Sequence, residues 1–303
     1  MVFIMLHQET NTYAFVGNRE YVLREMIKKD LIVAGVFVME NSFLHKVLTR
    51  DPFINYQIVS NRNQLLRLLN NTNYDIMISN GCKYILPIEK MKNAKYINIH
   101  PSYLPDLKGK DPINGACLLN RTAGATCHIM DDGIDTGKIV ARIKIEMTDD
   151  IEAALLFQLC FKAEVLAFIN GFARGFEELE VQPAIDNAVY YSISVEDYLV
   201  NFNKGVDYIL RQTKAFGYKS KGLYFKCRNI VFCFFKASEI TNQFVINYCR
   251  NFDNLVVLFV FENSIIFKCD SRVIRFDQID ELQGRIAEGD RISLCTVDDI
   301  VQS

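Results

Sequence analysis

Asn98 and His100 stand two residues apart in Tyr96-Ile-Asn98-Ile-His100, a short β-prone run that stops at Pro101. Along a strand, residues i and i+2 share a face, so the amide and the imidazole project together. An amide donates hydrogen bonds and an imidazole moves protons near neutral pH, which suits the pair to polar chemistry on a ligand. A third group, Asp135, lies in Asp131-Asp-Gly133-Ile-Asp135-Thr-Gly137, where the glycines let the backbone come close to a ligand. Between them, Pro101-Ser102-Tyr-Leu-Pro105-Asp-Leu-Lys-Gly109 carries the prolines and glycine of a stiff surface loop. A lone Asn-x-His at a strand end is commonly satisfied by nearby backbone. The acidic loop downstream is what makes a site the better reading.

These groups need a frame, and the flanking sequence supplies one. Short apolar runs at residues 13–16, 31–38, 75–79 and 96–100 read as strands, and residues 19–29 and 63–71 carry apolar side chains at helical spacing. The unbroken run at 31–38 is that of a strand covered on both faces. The alternation predicts an α/β fold with a doubly wound, mostly parallel sheet. Ligands bind such sheets beyond the carboxyl ends of the strands, where Asn98 and His100 fall. Residues 125–130 and 138–147 read as further strands flanking the acidic loop. After Asp149, read as an N-cap with Glu152 following, residues 151–176 form a long helix apolar on most faces.

Residues 177–187 mix acids with Pro183 and end on Asp186-Asn187, the best linker in the chain. A first domain over residues 1–186 and a smaller β-rich domain over residues 187–303 are therefore expected. The second begins with a helix at 194–214 and continues as strands at 223–225, 230–235, 255–261 and 264–269, the spacing of a small barrel or β-rich domain.

With 303 residues, half of them hydrophobic, the chain can bury a normal core. The formal net charge of −2, with no dense Lys/Arg block, argues against a large nucleic-acid footprint. Nine scattered cysteines without a Cys-x-x-Cys pair, and no His at zinc spacing, fit reduced thiols in a cytoplasmic protein and imply no metal. No apolar run is read as reaching the ~18 to 20 residues that span a bilayer, so neither a membrane segment nor a secretion signal is expected. Gly17-Asn18-Arg-Glu is no dinucleotide fingerprint.

Asn98-Ile-His100-Pro-Ser102-Tyr-Leu-Pro105 with Gly109, and Asp131-Asp-Gly133-Ile-Asp135-Thr-Gly137 after Thr126-Cys-His-Ile-Met130, resemble the folate-dependent formyltransferases over roughly residues 13–176. The resemblance implies a Rossmann-like catalytic domain and N10-formyltetrahydrofolate as co-substrate. It makes Asn98, His100 and Asp135 the catalytic set: Asn98 donating to the oxyanion, His100 assisting proton removal from the amine or stabilising the oxyanion, and Asp135 orienting or charging His100 and binding a relay water. It also makes Asn80-Gly-Cys82-Lys83-Tyr84-Ile85-Leu86-Pro a folate-lining loop. Cys82, Tyr84, Ile85 and Leu86 then join Asp131 and Gly133 as cofactor-binding candidates, against a bland reading in which they close the sheet. Asn18, Lys83 and Ser102 are substrate-binding candidates, for which surface roles compete. His128 reads as a packed, hydrogen-bonded histidine, and His7 and His45 carry no motif.

Within that family, the residues beyond 176 exceed a glycinamide-ribonucleotide formyltransferase. A first strand by Tyr13 leaves no expected room for the module that precedes the hydrolases. The tRNA enzymes resemble this layout but carry a basic loop, and residues 39–51 hold only His45, Lys46 and Arg50 against Glu40 and Asp51. The sugar-nucleotide branch is favoured, with a dTDP- or UDP-linked amino sugar as partner on a route to surface polysaccharide such as lipopolysaccharide O-antigen. Methionyl-tRNA formyltransferase and a non-catalytic folate or nucleotide-sugar binder remain as alternatives. The apolar second half fits a homodimer interface or that domain's own core.

Overall fold

β-branched and aromatic runs too short for helices form the sheet, and the intervening amphipathic stretches cover it. The computed structural model describes residues 11–218, 221–280 and 284–301. In order come β1 (Thr12–Gly17), α1 (Tyr21–Lys28), β2 (Ile32–Met39), α2 (Phe43–Leu48), β3 (Gln57–Val59), α3 (Arg62–Asn71), β4 (Ile76–Asn80), β5 (Lys95–His100), α4 (Pro112–Leu119), β6 (Ala123–Ile129), β7 (Ile139–Ile145) and α5 (Ala153–Ala173). The strands make one seven-stranded sheet in the order β3-β2-β1-β4-β5-β6-β7. The first five are parallel, while β6 and β7 run antiparallel to their neighbours. The chain leaves β1 for β2 and β3, then returns to β4 on the other side of β1, which puts a topological switch point at the β1/β4 carboxyl ends. This is the doubly wound, mostly parallel sheet that the alternation of runs predicts.

Alternate residues feed two cores. Tyr13 and Phe15 pack with Leu23, Leu44, Ala167 and Phe168 on one face, and Ala14 and Val16 pack with Phe37, Leu65 and Leu69 on the other. Burying both faces is what lets a parallel sheet consist of near-continuous apolar strands. The expectation fails in the first half of β2, where Ile32 is 56% exposed; only Val36 to Met39 are fully covered.

Helix α5 begins four residues after Asp149 rather than at it. The Thr148 hydroxyl instead donates to Asp150 at 2.5 Å in the preceding turn. Contrary to expectation, α5 has the length and apolarity to cross a membrane, with 21 residues and a mean hydropathy of 1.5 in its 18-residue window. Its Ala163, Ala167 and Phe168 lie in the sheet core, which is what a long apolar core helix does. It is not apolar-buried on most faces, however: Leu166 is half-exposed.

The chain clusters into two compact units, one of residues 1–109, 122–146 and 158–190, the other of residues 110–121, 147–157 and 191–303. In the second unit, the helix expected at 194–214 is broken into 3-10 turns at Val195–Tyr198 and Phe202–Lys204 and then α6 (Val206–Phe216). Gly205, at φ 77°, holds a backbone angle no right-handed helix contains. There follow β8 (Leu223–Cys227), β9 (Ile230–Phe234), β10 (Lys236–Glu239), α7 (Gln243–Cys249), β11 (Val257–Phe261), β12 (Ser264–Cys269), β13 (Arg272–Asp277), β14 (Ile292–Ser293) and α8 (Val297–Val301). The strands form antiparallel sheets β10-β13-β12-β11 and β14-β8-β9. Their core is aromatic, with Phe234 stacked on Phe276 at 3.8 Å between ring centroids and Phe225, Phe232 and Phe267 around them.

Candidate active site

Strand β5 carries Asn98 and His100 at its carboxyl end, and antiparallel pairing sets His128 of β6 directly beside Asn98. The β6–β7 register shifts between Cys127 and His128, an irregularity that re-aims the strand where it meets the site. Asp135, at φ 53°, completes a cluster drawn from two strands and a loop.

The Asn98 amide nitrogen lies 3.2 Å from Asp135 Oδ1 and 3.2 Å from His128 Nε2. Asp135 Oδ1 is also 3.6 Å from His100 Nδ1 and 3.5 Å from His128 Nε2, while its Oδ2 accepts the Gly109 N–H at 3.0 Å. Hydrogen-bond partners assign the tautomers. His100 Nε2 faces the Leu107 carbonyl at 3.1 Å and His128 Nδ1 faces the Ile129 carbonyl at 2.9 Å, so these nitrogens carry the protons of the neutral rings. His100 Nδ1 is thereby left basic and turned towards Asp135, and His128 Nε2 accepts from Asn98.

Burial holds His100 below its ordinary pKa, more than the Asp135 charge and the Leu107 carbonyl raise it, so the ring is neutral at neutral pH. Burial would raise Asp135. The positive charge His100 and His128 acquire on protonation, together with the Gly109 N–H, outweighs it and keeps this carboxyl well below the usual range. The cluster thus contains a fixed anion, a neutral base and an amide donor. Those are the parts for moving a proton and stabilising an oxyanion.

The loops are pinned by their own polar groups. Thr126 Oγ1 donates to the Ser102 carbonyl at 2.7 Å and accepts the Leu104 N–H at 3.1 Å. Ser102 is buried with its hydroxyl on the Asp106 carbonyl at 3.1 Å, so here it shapes the loop rather than presenting itself to a ligand. Asp131 accepts from Thr136 Oγ1 at 2.6 Å and from the Gly133 N–H at 3.2 Å, bracing the acidic loop from within. A Cβ on Gly137 would fall 1.8 Å from the Ile129 carbonyl oxygen, so only glycine fits there.

The segment after β4 divides. Leu86 is buried in the core beside Tyr96, as in the sheet-closing reading. Cys82 and Tyr84 are half-buried, and the Tyr84 hydroxyl donates to the Ser60 carbonyl at 2.9 Å. Ile85 is 60% exposed, and the Lys83 ammonium lies 5.1 Å from the Tyr84 ring. At the β1/β4 switch point, Asn18 donates its N–H to the Asn80 carbonyl at 3.2 Å, and its side chain crowds Gly81 so closely that a Cβ there would sit 2.1 Å from Asn18 Oδ1. Arg19 pairs with the buried Glu164 of α5 and stacks 4.9 Å over Phe161. A cavity of about 970 Å³ in the second unit is lined by none of these residues.

Sequence reasoning favoured a packed, hydrogen-bonded His128 over a catalytic one; the ring is packed, and its partners are Asn98 and Asp135. The Arg19–Glu164 pair and Gln182, whose amide touches the acidic loop, carried no motif that could have flagged them.

The profile of the formyl transferase family matches residues 18–170, half of the chain. The chain belongs to the formyl transferase family. By sequence this family member is similar to the methionyl-tRNA formyltransferase of Thermotoga neapolitana, 28% identical over 227 residues, 67% of this chain and 71% of that one. Other relatives of the same name align over 28 to 40% of their own length. By structure it is similar to WlaRD, a sugar 3N-formyltransferase determined with dTDP and 5-N-formyl-THF, with TM-score 0.66, 24% identity, and 88% and 97% of the two chains covered. It is likewise similar to the N-formyltransferase of Helicobacter canadensis in complex with folinic acid and dTDP-3-aminofucose, with TM-score 0.64, 20% identity, and 89% and 99% covered. At these identities the structural likenesses establish the fold. Among the described residues no group of His, Cys, Asp and Glu is arranged to hold a metal ion.

Proposed function

We propose that this enzyme transfers the formyl group of N10-formyltetrahydrofolate to the amine of a dTDP- or UDP-linked amino-deoxy sugar, on a cytoplasmic route to surface polysaccharide. The observation that carries the reaction is the meeting of Asn98, His100 and Asp135 in one partly buried cluster with the imidazole neutral and the carboxylate ionised. Support for the acceptor comes from the sugar N-formyltransferases, which align over 88% and 89% of this chain, both halves included. We assign the catalytic domain to residues 1–186 and the β-rich domain to residues 187–303.

In this reading the formyl donor supplies the electrophilic carbon, and the chain's residues manage charge and protons. His100 Nδ1, kept basic by the Leu107 carbonyl on its other nitrogen, takes a proton from the attacking amine. The resulting imidazolium pairs with Asp135, whose depressed pKa keeps that proton on the histidine until it is passed to N10 of tetrahydrofolate, as the bond from the formyl carbon to N10 breaks and the new amide remains. Both N–H groups of Asn98 are committed to Asp135 and His128, so donation to a developing oxyanion means exchanging one of them. Cys82, Tyr84 and Ile85, with Asp131 and Gly133, are assigned to the folate, and Asn18 and Lys83 to the acceptor; Leu86 and Ser102 support these from the interior.

Methionyl-tRNA is the second acceptor to consider, because the relatives found by sequence act on it by name. The net charge of −2 weighs against it. An assay of folate release with N10-formyltetrahydrofolate, against dTDP- and UDP-linked 3-amino and 4-amino sugars and initiator Met-tRNA, separates the readings. Turnover on a nucleotide sugar is expected. Turnover on the tRNA alone overturns the acceptor, and inactivity with all of them leaves a binding protein.

A further inference from the structure

Residues 177–190 have the composition of a linker, yet they are fastened to both loops that build the site. The Leu179 and Glu180 N–H groups donate to the Ile139 carbonyl at 2.8 and 3.2 Å, and the Ile139 N–H returns a bond to the Glu180 carbonyl at 2.9 Å. This short antiparallel bridge at the start of β7 fixes the segment's register. Glu180 pairs with Arg142, which donates to the Leu104 carbonyl of the proline loop at 2.8 Å. Farther on, the Val189 N–H donates to Asp106 Oδ1 at 3.0 Å, and the Lys108 N–H donates to the Val189 carbonyl at 3.0 Å.

Gln182 sits in the middle of this strap. Its amide nitrogen donates to the carbonyls of Asp135 and Gly137, each at 2.8 Å. The amide orientation is forced, since two carbonyl oxygens leave room only for a donor. Those carbonyls flank the turn in which Asp135 is held at φ 53°, a region L residues rarely occupy without support. The Asp135 carboxylate is fixed from the other side by Asn98 and Gly109. Backbone and side chain of one residue are therefore clamped independently.

We propose that Gln182 is a positioning residue for the transfer reaction: by bridging the Asp135 and Gly137 carbonyls it holds the Asp135 backbone so that the carboxylate stays beside His100 and His128. The inference rests on the catalytic reading of the Asp135 cluster. Misplacing a reacting group by about 1 Å costs on the order of 100-fold in rate, so a loosened turn registers in turnover even if the fold is intact.

Gln182→Leu keeps the side-chain size and removes both donors; Gln182→Glu keeps size and polarity but places oxygens against the two carbonyls. Two readouts are taken. In formyl transfer, kcat is expected to fall by about 10- to 100-fold in both variants, with KM for the formyl donor within about twofold, the signature of an interaction that matters in the transition state. In substrate-free protein, NMR titration of the imidazole signals is expected to show His100 displaced from wild type, while the exposed Asp186→Ala in the same segment leaves it in place. If Gln182→Leu fails to fold, Gln182→Glu carries both readouts. Wild-type kcat with an unshifted His100 titration overturns the positioning role, as does a change confined to KM. Should wild type transfer no formyl group to any acceptor, the catalytic reading falls, and the His100 titration still decides whether Gln182 holds the cluster.

Discussion

Burial pushes both Asp135 and Glu164, in the sheet-bearing unit, towards the neutral form, and the two carboxylates respond differently. Asp135 is surrounded by the Asn98 amide, the Gly109 N–H and two imidazoles, and it is held ionised. Glu164, buried on α5, is pushed up to about 7 by burial, with only the Arg19 charge and hydrogen bonds from Asn80 and Arg19 opposing. Desolvation is the largest influence on both. The number of donors and potential cations around the oxygens decides which way each goes. A carboxylate that must stay charged to stabilise a neighbouring imidazolium needs that crowd, whereas Glu164 can gain or lose a proton near neutral pH.

The harshest way to break this comparison is Asp135→Asn, which keeps the shape and deletes the charge. Turnover is expected to fall about 10³- to 10⁴-fold with the fold retained, as when an amide replaces a buried carboxylate serving a catalytic imidazole; near-wild-type rates would remove Asp135 from the reaction. Asn98→Ala deletes the amide donor and should cost roughly 10²- to 10³-fold in kcat, about 3 to 4 kcal/mol, measured with saturating donor and acceptor.

The pH profile sharpens the contrast. With His100 below its ordinary 6.5, kcat/KM should stay level as pH falls through 6.5 and decline only at lower pH. Because the Asp135 charge raises His100, the residual activity of Asp135→Asn should decline at still lower pH than wild type. An acid limb that moves upward would contradict the assigned coupling.

The smallest effect belongs to stability. Glu164 ordinarily titrates at 4.5 and is raised to about 7 in the fold, so the folded chain binds the extra proton and this group's contribution is lost as pH rises from about 4.5 to about 7. Asp135, depressed, contributes above the ordinary carboxylate range and loses that contribution as pH falls below it. Thermal unfolding of Glu164→Gln across pH 4 to 8, an interval spanning about the Glu164 range, should therefore lack a downward slope that wild type shows. Identical slopes in the two proteins would mean that Arg19 neutralises Glu164 more fully than its burial opposes.

Much of the frame around these carboxylates was legible because strand and helix periods are local. The runs ending at Val16, Ser79 and His100 appear as strands within a residue or so, and the helix at 63–71 appears as α3. Where non-local geometry intervened the reading failed: Gly205 interrupts what reads as one helix from 194 to 214, and β10, β13 and α7 are too short or too polar to stand out. Residues 153–173 of the apolar 151–176 stretch are a helix, but the sequence could not tell which face meets the sheet.

By itself the sequence determined the alternation of strands and helices, the carboxyl-end placement of Asn98 and His100, and the glycine-bearing loop that carries Asp135, since each follows from residue types within a few positions. Only the tertiary structure decided that His128 meets Asn98, that Gln182 holds the Asp135 turn, and that Arg19 and Glu164 share a buried pair 145 residues apart in sequence. Those contacts depend on antiparallel register and on loop closure across the sheet, and neither leaves a local periodicity to read.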